Sequence, residues 1–390
     1  MTQSPKQNQT ELEQLLLDRR DFHLHPELGY NEHRTAAIIA RRLIECGYEV
    51  KRGVGGTGIV GVVGEANSRT LLYRADMDGL PISEENTVEY ASQNAGVMHA
   101  CGHDDMAIGL AVARRMAAER ESLGGCLKFA FQPAEEGGNG AVAMIRDGVM
   151  DSPRVTAAVG LHVWNNLAVG KVGVYRGAMM AAVDDFEIVI EGRGGHGAMP
   201  QQTIDAIVVA SHLVVALQTV VSRNISPLDS AVVTVGKFEA GSAFNIIAET
   251  ARLRGTVRTF NEETHARIPE VMERVVRGVC DAMGASYRLT YDRKTLALVN
   301  DRDMCALVAE CAGEVVGDEN VVEDERTMGG EDMSYFLERV PGCFFFLGTR
   351  NESRGLTHPH HSPRFDIDES AMELGVEVMS RVVRRYLNQS

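Results

Sequence analysis

The chain has 390 residues, of which 44% are hydrophobic and 24% are charged. This composition is typical of a folded protein with two or three domains, and it excludes a largely disordered chain. The formal net charge of −15 repels polyanions, so we expect neither nucleic acid nor an anionic membrane surface as a partner.

The polar N-terminal residues and the cysteines indicate the cellular compartment. Residues 1–10 are polar and lack the apolar core of a signal peptide, and we expect no run of the roughly 18 apolar residues that a membrane span needs. The seven cysteines are scattered without a C-x-x-C pair, which argues against a disulfide framework. We therefore expect a cytoplasmic protein that does not contact a membrane.

The first elements along the chain are two helices and two strands. Apolar periodicity predicts helices over residues 11–20 and 35–46, and strands over residues 48–51 and 59–63. His23 and His25 lie between the helices beside Pro26, where a loop of hydrogen-bonded side chains is favoured over metal ligation. We leave both histidines out of the site.

A glycine-rich segment, residues 53–58, joins the two strands and reads G-x-G-x-x-G. In a dinucleotide-binding fold this pattern opens a helix, whereas the residues that follow here are β-branched and typical of a strand. The segment is therefore predicted to be a hairpin turn.

Residues 71–75 form the next predicted strand, which leads into Asp76 and Asp78. Two carboxylates that are two residues apart share one face, and ligands in α/β sheets bind at the carboxyl ends of strands. This is the first candidate position for a site.

The stretch from residue 98 to residue 106 crowds a thiol, an imidazole and two carboxylates ahead of a helix predicted over residues 106–121. Gly102 would let the chain turn so that Cys101 and His103 converge on one ion, and Asp104 or Asp105 could cap the helix. The alternative is a buried thiol beside a hydrogen-bonded histidine.

Two further strands deliver side chains that bind metals. The predicted strand 126–131 runs into Glu135 and Glu136, whose side chains point in different directions, so one could hold a metal while the other moves a proton. The alternative is a pair of solvated surface acids. The predicted strand 157–164 carries His162 at its end.

From Asp184 the pattern of elements changes to strand, helix, strand, strand, helix and a final strand at residues 286–291. This order predicts a compact α/β sandwich inserted into a larger mixed sheet that is flanked by helices. We expect the larger domain at residues 1–183 and 293–390 and the insert at residues 184–292. A free edge strand of the insert would allow dimerisation.

The C-terminal part returns to the larger domain. It carries predicted helices at residues 301–316 and 369–387, a strand at residues 343–347, and a histidine-rich segment at residues 357–363. Prolines on both sides limit the freedom of this segment, which suits a presented ligand.

Several separated motifs follow one another from about residue 22 to the C-terminal helix. They are HPELG, RADMDGLP, MHACGHD, QPAEEGG, GLHVW, GGHGAMP, GTVRTF, MGGED and HHSP. Together they resemble the M20 metallopeptidase and amidohydrolase family, in particular its hippurate hydrolase and plant auxin-conjugate hydrolase branch.

The resemblance implies a catalytic domain that holds two divalent metal ions and is interrupted by a lid domain through which two subunits form a homodimer. Glu135 corresponds to the general base. His361 is chosen over His360 because the family's ligand directly precedes a small residue and a proline. The implied metal ligands are Cys101, His103, Glu136, His162 and His361.

The resemblance also implies residues that meet the substrate. His196 corresponds to a lid histidine that reaches a catalytic site, and Asn245 and Arg258 to lid residues that hold the free carboxylate of the substrate. Asp78 corresponds to a supporting aspartate that could orient a ligand imidazole. The sequence departs from the family pattern at Gln201, Ala206 and Ala248, all within the insert.

We therefore expect a metal-dependent amidohydrolase that acts on small N-acyl amino acids. Nitrogen, oxygen and sulfur donors suit zinc or manganese, with cobalt and nickel as alternatives. Alternative activities are deacylation of N-acetyl or N-succinyl diaminopimelate-type substrates, or cleavage of dipeptides. A catalytically silent dimer that binds ligands without turnover is the alternative of another class.

Overall fold

The computed structural model describes residues 5–65 and 69–389, with side chains from Glu11 onward. Residues 1–4 of the polar start used above lie outside this range. Contacts within the chain define two compact units. The first is formed by residues up to Gly177, by Val299–Glu325 and by the chain from Asp332 onward, and the second by Ala178–Leu298 and Arg326–Glu331.

The described residues form helices and strands along the whole chain. The helices are α1 (Pro5–Leu24), α2 (His33–Glu45), α3 (Met106–Ala118), α4 (Gly140–Arg146), α5 (Ala206–Asn224), α6 (Glu262–Met283), α7 (Arg302–Val316), α8 (Ser334–Leu337) and α9 (Ser370–Leu387). The strands are β1 (Glu49–Val54), β2 (Gly58–Gly64), β3 (Thr70–Asp76), β4 (Cys126–Gln132), β5 (Ala157–Ala168), β6 (Val172–Gly173), β7 (Gly177–Met180), β8 (Ala182–Glu191), β9 (Gly195–His196), β10 (Ala231–Ala240), β11 (Ile246–Ile247), β12 (Thr250–Thr259), β13 (Ser286–Thr295), β14 (Leu298–Asn300), β15 (Val321–Val322) and β16 (Gly342–Arg350).

The first unit is built on a mixed eight-stranded sheet in the order β1-β2-β4-β3-β5-β16-β6-β15. Every residue of β3 and β4 is buried, as expected for apolar strands that are covered on both faces. The helices α3 and α9 pack on the central strands, and α2 packs on β1 and β2. The predicted α/β fold, a mixed sheet flanked by helices, is confirmed.

The central strands bring polar residues to one edge of this sheet. β4, β3, β5 and β16 are neighbours and run parallel, so their carboxyl ends meet there. The pairing of β3 with β5 ends at Arg74 and Gly160, whereas β5 continues to Ala168 beside β16. His162 therefore lies within β5 rather than at its end, beyond the last residue that pairs with β3.

The glycine-rich segment at residues 53–58 is a hairpin, as predicted. β1 and β2 pair antiparallel, and Val54 lies opposite Gly58.

The second unit contains a four-stranded antiparallel sheet in the order β10-β12-β8-β13. α5 and α6 pack against this sheet and against each other around an apolar core. Alternate residues of β12 are exposed, so the opposite face of the sheet is polar.

One helix of the described residues, α5, bears on the expectation that the chain has no membrane-spanning stretch. Its 19 residues are long and apolar enough to do so by length and composition. However, one face of the helix packs into the core of the second unit, through the buried residues Ala206, Val209, Ala210, Leu213, Leu217 and Val220. A core helix with this composition passes the same test, so the sequence signal alone is weak.

Candidate metal centre

Gly102 turns the chain between Cys101 and His103. Its φ is +89°, and a Cβ atom at this position would lie 2.3 Å from Cγ2 of Val163. Any other residue would therefore strain the turn and collide with β5. The glycine places a thiol and an imidazole on either side of a tight bend.

Asp105 occupies the N-cap position of α3 as expected, but its side chain makes no capping hydrogen bond. Asp104 is fully buried and binds Arg19, whose Nε lies 2.7 Å from Oδ2, and His23, whose Nδ1 lies 2.8 Å from the same oxygen. The Asp105 carboxylate instead accepts the amide of Val163 at 3.2 Å. These tertiary partners engage both carboxylates in place of the amides at the start of the helix. Both carboxylates therefore anchor the turn in the interior.

The ring of His103 is oriented by Asp78. Nδ1 lies 2.9 Å from the carbonyl oxygen of Asp78 and 3.3 Å from its Oδ1. Nδ1 must therefore carry the proton when the ring is neutral, which leaves the lone pair on Nε2. Nε2 is buried and has no hydrogen-bond partner among the described residues. A buried nitrogen without a partner is costly unless a ligand fills the gap.

His162 is fixed in the same way. Its Nδ1 donates to the carbonyl oxygen of Val163 at 2.6 Å, and its Nε2 lies 3.5 Å from Sγ of Cys101. Burial lowers the pKa of His162 to about 4, so the ring is neutral near pH 7. A neutral imidazole with Nδ1 anchored is the form that binds a metal through Nε2.

Glu135 and Glu136 follow β4 in a turn whose amides are held by Asp78. The amide of Glu135 donates to Oδ1 at 3.1 Å, and that of Glu136 donates to Oδ2 at 3.0 Å. The carboxylate of Glu135 accepts the amide of Asp332 at 3.4 Å. Asp78 thus supports His103 and both glutamates at once.

His361, rather than His360, faces the glutamates. Nε2 of His361 lies 3.2 Å from Oε1 of Glu136. Burial opposes ionisation of Glu136, but its ion pair with His361 and the charge of His103 lower its pKa to about 2. The ring of His360 instead stacks on Trp164, with centroids 4.6 Å apart, and its Nε2 binds the carbonyl oxygen of Val163 at 3.0 Å.

These side chains form three overlapping groups of donor atoms, and within each group the atoms lie within 4.8 Å of one another. The groups share members, so together they bring six side chains to one place. The buried, unpartnered Nε2 of His103 and the mixture of nitrogen, oxygen and sulfur donors fit divalent ions such as zinc. The groups are Cys101, His103 and His162; Cys101, Glu136 and His361; and His103, Glu135 and Glu136.

The remaining candidate residues belong to the second unit. His196 lies opposite Ile246 in the short β9–β11 pair, and the carbonyl oxygen of Asn245 accepts the amide of Gly197 at 2.9 Å. His196 and Asn245 are therefore neighbours, and both are exposed. Arg258 lies on β12, is half-buried, and donates to Thr256 and to the carbonyl oxygen of Val257.

A buried ion network beside the donor groups was not predicted. Arg74 donates to Asp76 at 2.6 Å, to Asp332 at 3.0 Å and to Gln132 at 2.9 Å. Oδ2 of Asp76 lies 3.7 Å from Nε2 of His103. The only local signal was the pair Asp76 and Asp78, because the partners Gln132 and Asp332 are distant in sequence.

Comparisons with known proteins show which family and which relatives this chain resembles. A model of peptidase family M20/M25/M40 matches residues 72–385. The N-acetyl-L-cysteine deacetylase of Bacillus subtilis is 39% identical over 97% of this chain and 89% of its own length. The IAA-amino acid hydrolase ILR1-like 4 of Arabidopsis thaliana is 38% identical over 95% of this chain and 84% of its own length.

A solved structure resembles the chain over nearly its whole length. The crystal structure of the Bacillus subtilis YXEP protein, a dinuclear metal-binding peptidase from the M20 family, has a TM-score of 0.86 and 33% identity to this chain. The alignment covers 98% of this chain and 99% of that one.

Proposed function

Because the chain belongs to peptidase family M20/M25/M40, we propose that it is a metal-dependent amidohydrolase that removes the acyl group from N-acyl amino acids. The observation that carries this proposal is the convergence of Glu135 and five other donor side chains in three overlapping groups. Relatives that are named as an N-acetyl-L-cysteine deacetylase and an IAA-amino acid hydrolase support the substrate class.

Cys101, His103, Glu136, His162 and His361 would hold two divalent ions, with zinc or manganese favoured and cobalt or nickel as alternatives. When bound, such ions polarise a carbonyl group and lower the pKa of water to near neutrality. The imidazole rings of His103 and His162 have their Nδ1 atoms tied to backbone carbonyls, so each presents Nε2 without rearrangement. This preorganisation avoids an entropic cost when the ions bind.

Glu135 acts as the general base. Its carboxylate accepts a proton from the attacking water and then passes that proton to the nitrogen of the leaving amino acid. The turn that carries Glu135 is held through its amide by Asp78, so the carboxylate needs little movement between these two roles. A base in this position typically contributes about 10²- to 10⁴-fold to the rate.

His196, Asn245 and Arg258 would contact the substrate. His196 donates a hydrogen bond to the oxygen on which negative charge develops, a role that is typically worth about 3 kcal/mol of barrier stabilisation. Asn245 and Arg258 hold the free carboxylate of the amino acid, and a guanidinium can do so with two parallel hydrogen bonds. This contact selects N-acyl amino acids over simple amides.

We also propose that two copies pair through the second unit. β10 is an edge strand of its sheet, and edge strands expose unpaired backbone groups. Apolar side chains near this edge are exposed, among them Val215, Leu228 and Phe238. A second copy that covers them would form a symmetric dimer. Light scattering that gives the mass of one chain at micromolar concentration would contradict this pairing.

Free thiols at all seven cysteines accord with a cytoplasmic location.

The activity is tested by measuring metal content together with turnover of a substrate panel. The panel contains N-acetyl and N-benzoyl amino acids, N-succinyl diaminopimelate and dipeptides. We expect stoichiometric metal and the highest kcat/KM on N-acyl amino acids. Bound metal without turnover of any compound would identify a silent ligand-binding dimer instead, and a preference for dipeptides would reassign the substrate.

A further inference from the structure

We propose that Glu32 and the hairpin at residues 53–58 are positioning elements for the turn that carries the catalytic glutamates. This turn, residues 133–139, is called the glutamate turn below, and residues 53–58 are called the glycine hairpin. The proposal rests on the assignment of Glu135 and Glu136 given above. It assigns a role to the glycine hairpin, whose sequence resembles a nucleotide-binding motif without its context.

Three consecutive amides of the glutamate turn donate to two buried carboxylates. The amide of Ala134 donates to Oε1 of Glu32 at 2.9 Å, and the amides of Glu135 and Glu136 donate to the two oxygens of Asp78. Glu32 has no exposed surface and Asp78 is 2% exposed. Glu32 therefore accepts the amide of Ala134 in the same way that Asp78 accepts the amides of the next two residues.

The backbone of the turn requires such support. Ala134 has a φ of +50°, a left-handed conformation that costs free energy for any residue with a side chain. Ala134 immediately precedes Glu135, so its backbone angles set the directions of both glutamate side chains. A carboxylate that captures the Ala134 amide fixes these angles.

The glycine hairpin holds Glu32 in turn. The hydroxyl of Thr57 donates to Oε2 of Glu32, which leaves Oε1 aimed at Ala134. Thr57 is 9% exposed, so water does not readily replace this bond.

The same hairpin also packs against Pro133 at the start of the glutamate turn and is linked to the other end of the turn through Tyr30. A Cβ atom at Gly58 would lie 3.0 Å from Cδ of Pro133 and 2.3 Å from the carbonyl oxygen of Val54. A Cβ atom at Gly56 would lie 3.0 Å from the ring of Tyr30, whose hydroxyl donates to the carbonyl oxygen of Gly138 at 2.6 Å. Glycines are needed at these positions because the hairpin, Tyr30 and the turn are in direct contact.

It follows that removing the bond between Thr57 and Glu32 should loosen the turn without touching any donor atom. Loss of a partner that orients metal ligands typically lowers metal affinity or activity by about 10- to 100-fold. The expected signature is a lower kcat with KM within about twofold, since the binding of the substrate's carboxylate is unaffected.

The test compares four variants with one control. Thr57→Val and Glu32→Ala remove the bonds, whereas Thr57→Ser and Glu32→Gln retain a hydroxyl donor and an acceptor for the Ala134 amide. Thr156→Val is the matched control. It removes another hydroxyl of the first unit, one that donates to the carbonyl oxygen of Thr70 at 3.0 Å, at the opposite end of β3 from Asp76.

Two quantities are measured for each variant: the affinity of the metal-free protein for Mn²⁺ or Zn²⁺ by calorimetry, and kcat and KM on an N-acyl amino acid. We expect Thr57→Val to lose about 10-fold or more in metal affinity and in kcat, Thr57→Ser and Glu32→Gln to recover most of both, and Thr156→Val to change neither. Wild-type affinity and kcat in Thr57→Val, or equal losses in Thr156→Val, would overturn the proposal. Thr57→Val alone tests the positioning role if Glu32→Ala fails to fold.

The calorimetric measurement separates this proposal from the proposed function. If the wild-type protein binds metal but hydrolyses no N-acyl amino acid, the proposed activity is wrong, while the effect of Thr57→Val on metal affinity still tests the positioning role. If the wild-type protein hydrolyses these substrates and Thr57→Val retains full affinity and rate, the activity stands and the positioning role is wrong.

Discussion

The metal-binding candidates of the first unit and the substrate-binding candidates of the second unit are held in opposite ways. His103 and His162 are 1% and 5% exposed, and each has one ring nitrogen tied to a backbone carbonyl. His196 and Asn245 are exposed and lie in short segments outside the main sheet of their unit. The first group is preorganised by burial, whereas the second depends on what it binds.

This difference predicts how much stability a substitution costs in each group. A change near His103 disturbs buried polar groups that have no alternative partner, and such changes are expensive. A change near His196 meets solvent and costs little stability. The departures from the family pattern at Gln201, Ala206 and Ala248 all lie in the second unit, where Gln201 is exposed but Ala206 and Ala248 are buried. We infer that the chemistry is fixed by the first unit and the choice of substrate by the second.

The largest expected effect is that of Glu135→Gln. The amide cannot accept the proton of the attacking water, so kcat should fall by about 10³-fold, within the range for a general base. Metal content should stay at the wild-type level, because Glu135 shares its donor group with His103 and Glu136, which remain. The measurement is kcat together with metal analysis of the same sample. A variant with wild-type kcat would remove Glu135 from its assigned role.

The variants His361→Ala and His360→Phe compare a side chain proposed to bind metal with a buried side chain that supports the fold. His361→Ala should lower metal affinity by about 100-fold or more, since it removes a donor rather than an orienting partner, whose loss costs about 10- to 100-fold. His360→Phe keeps an aromatic ring against Trp164 but loses the bond to Val163, so it should lower the free energy of unfolding by about 1 kcal/mol. Calorimetric titration and thermal melting distinguish the two. The reverse result would make His360 the ligand.

Arg258→Ala tests the second unit directly. Loss of a charge-assisted contact typically costs 1.5–3 kcal/mol, so kcat/KM for an N-acyl amino acid should fall by roughly 10- to 100-fold, while that for the corresponding amide should change little. Arg254→Ala is the control, since Arg254 lies four residues away on β12 and is 62% exposed. If Arg258→Ala kept the preference for a free carboxylate, the proposed contact would be wrong.

The smallest expected effect concerns stability rather than chemistry. In the second unit, Nε2 of His265 lies 2.8 Å from Oδ2 of Asp184, to which Tyr291 also donates at 2.6 Å. The hydrogen bond with Asp184 raises the pKa of His265 above its usual value of 6.5, against burial and the charge of Arg293. The protonated form is therefore favoured in the folded state.

The sign of the pH dependence follows from this raised pKa. The stabilisation is fully present below the unfolded pKa near 6.5 and is lost as the pH rises through the higher folded pKa. We expect His265→Gln to lower Tm by a few degrees at pH 6 and by less at pH 9. The difference between wild type and variant, measured by calorimetry at both pH values, cancels other titrating groups. A difference that grows with pH would contradict this account.

The sequence predicted best those elements whose pattern is local. The apolar strands β3 and β4 were recognisable because both of their faces are buried, and the glycine hairpin was recognisable because β-branched residues follow it. β5 was predicted to end soon after His162, but it runs on to Ala168 because β16 continues to pair with it. Its length is set by a partner about 180 residues away, which no local pattern reveals.

The supporting contacts were beyond local prediction for the same reason. Glu32 and Ala134 are 102 residues apart, and Arg74 and Asp332 are 258 residues apart. The motifs named the donor residues because each motif is contiguous. The sequence could not show which buried groups hold these donors, since that depends on tertiary packing.

The unpartnered Nε2 of His103 links folding to the ionic environment. A cation that binds this position in the native chain far more tightly than it binds the unfolded chain adds, by mass action, up to about 2.7 kcal/mol of stability at a free concentration 100 times its Kd. Chelators should therefore lower the melting temperature as well as stop turnover. The melting temperature should therefore rise with the concentration of free metal ions in the surrounding solution.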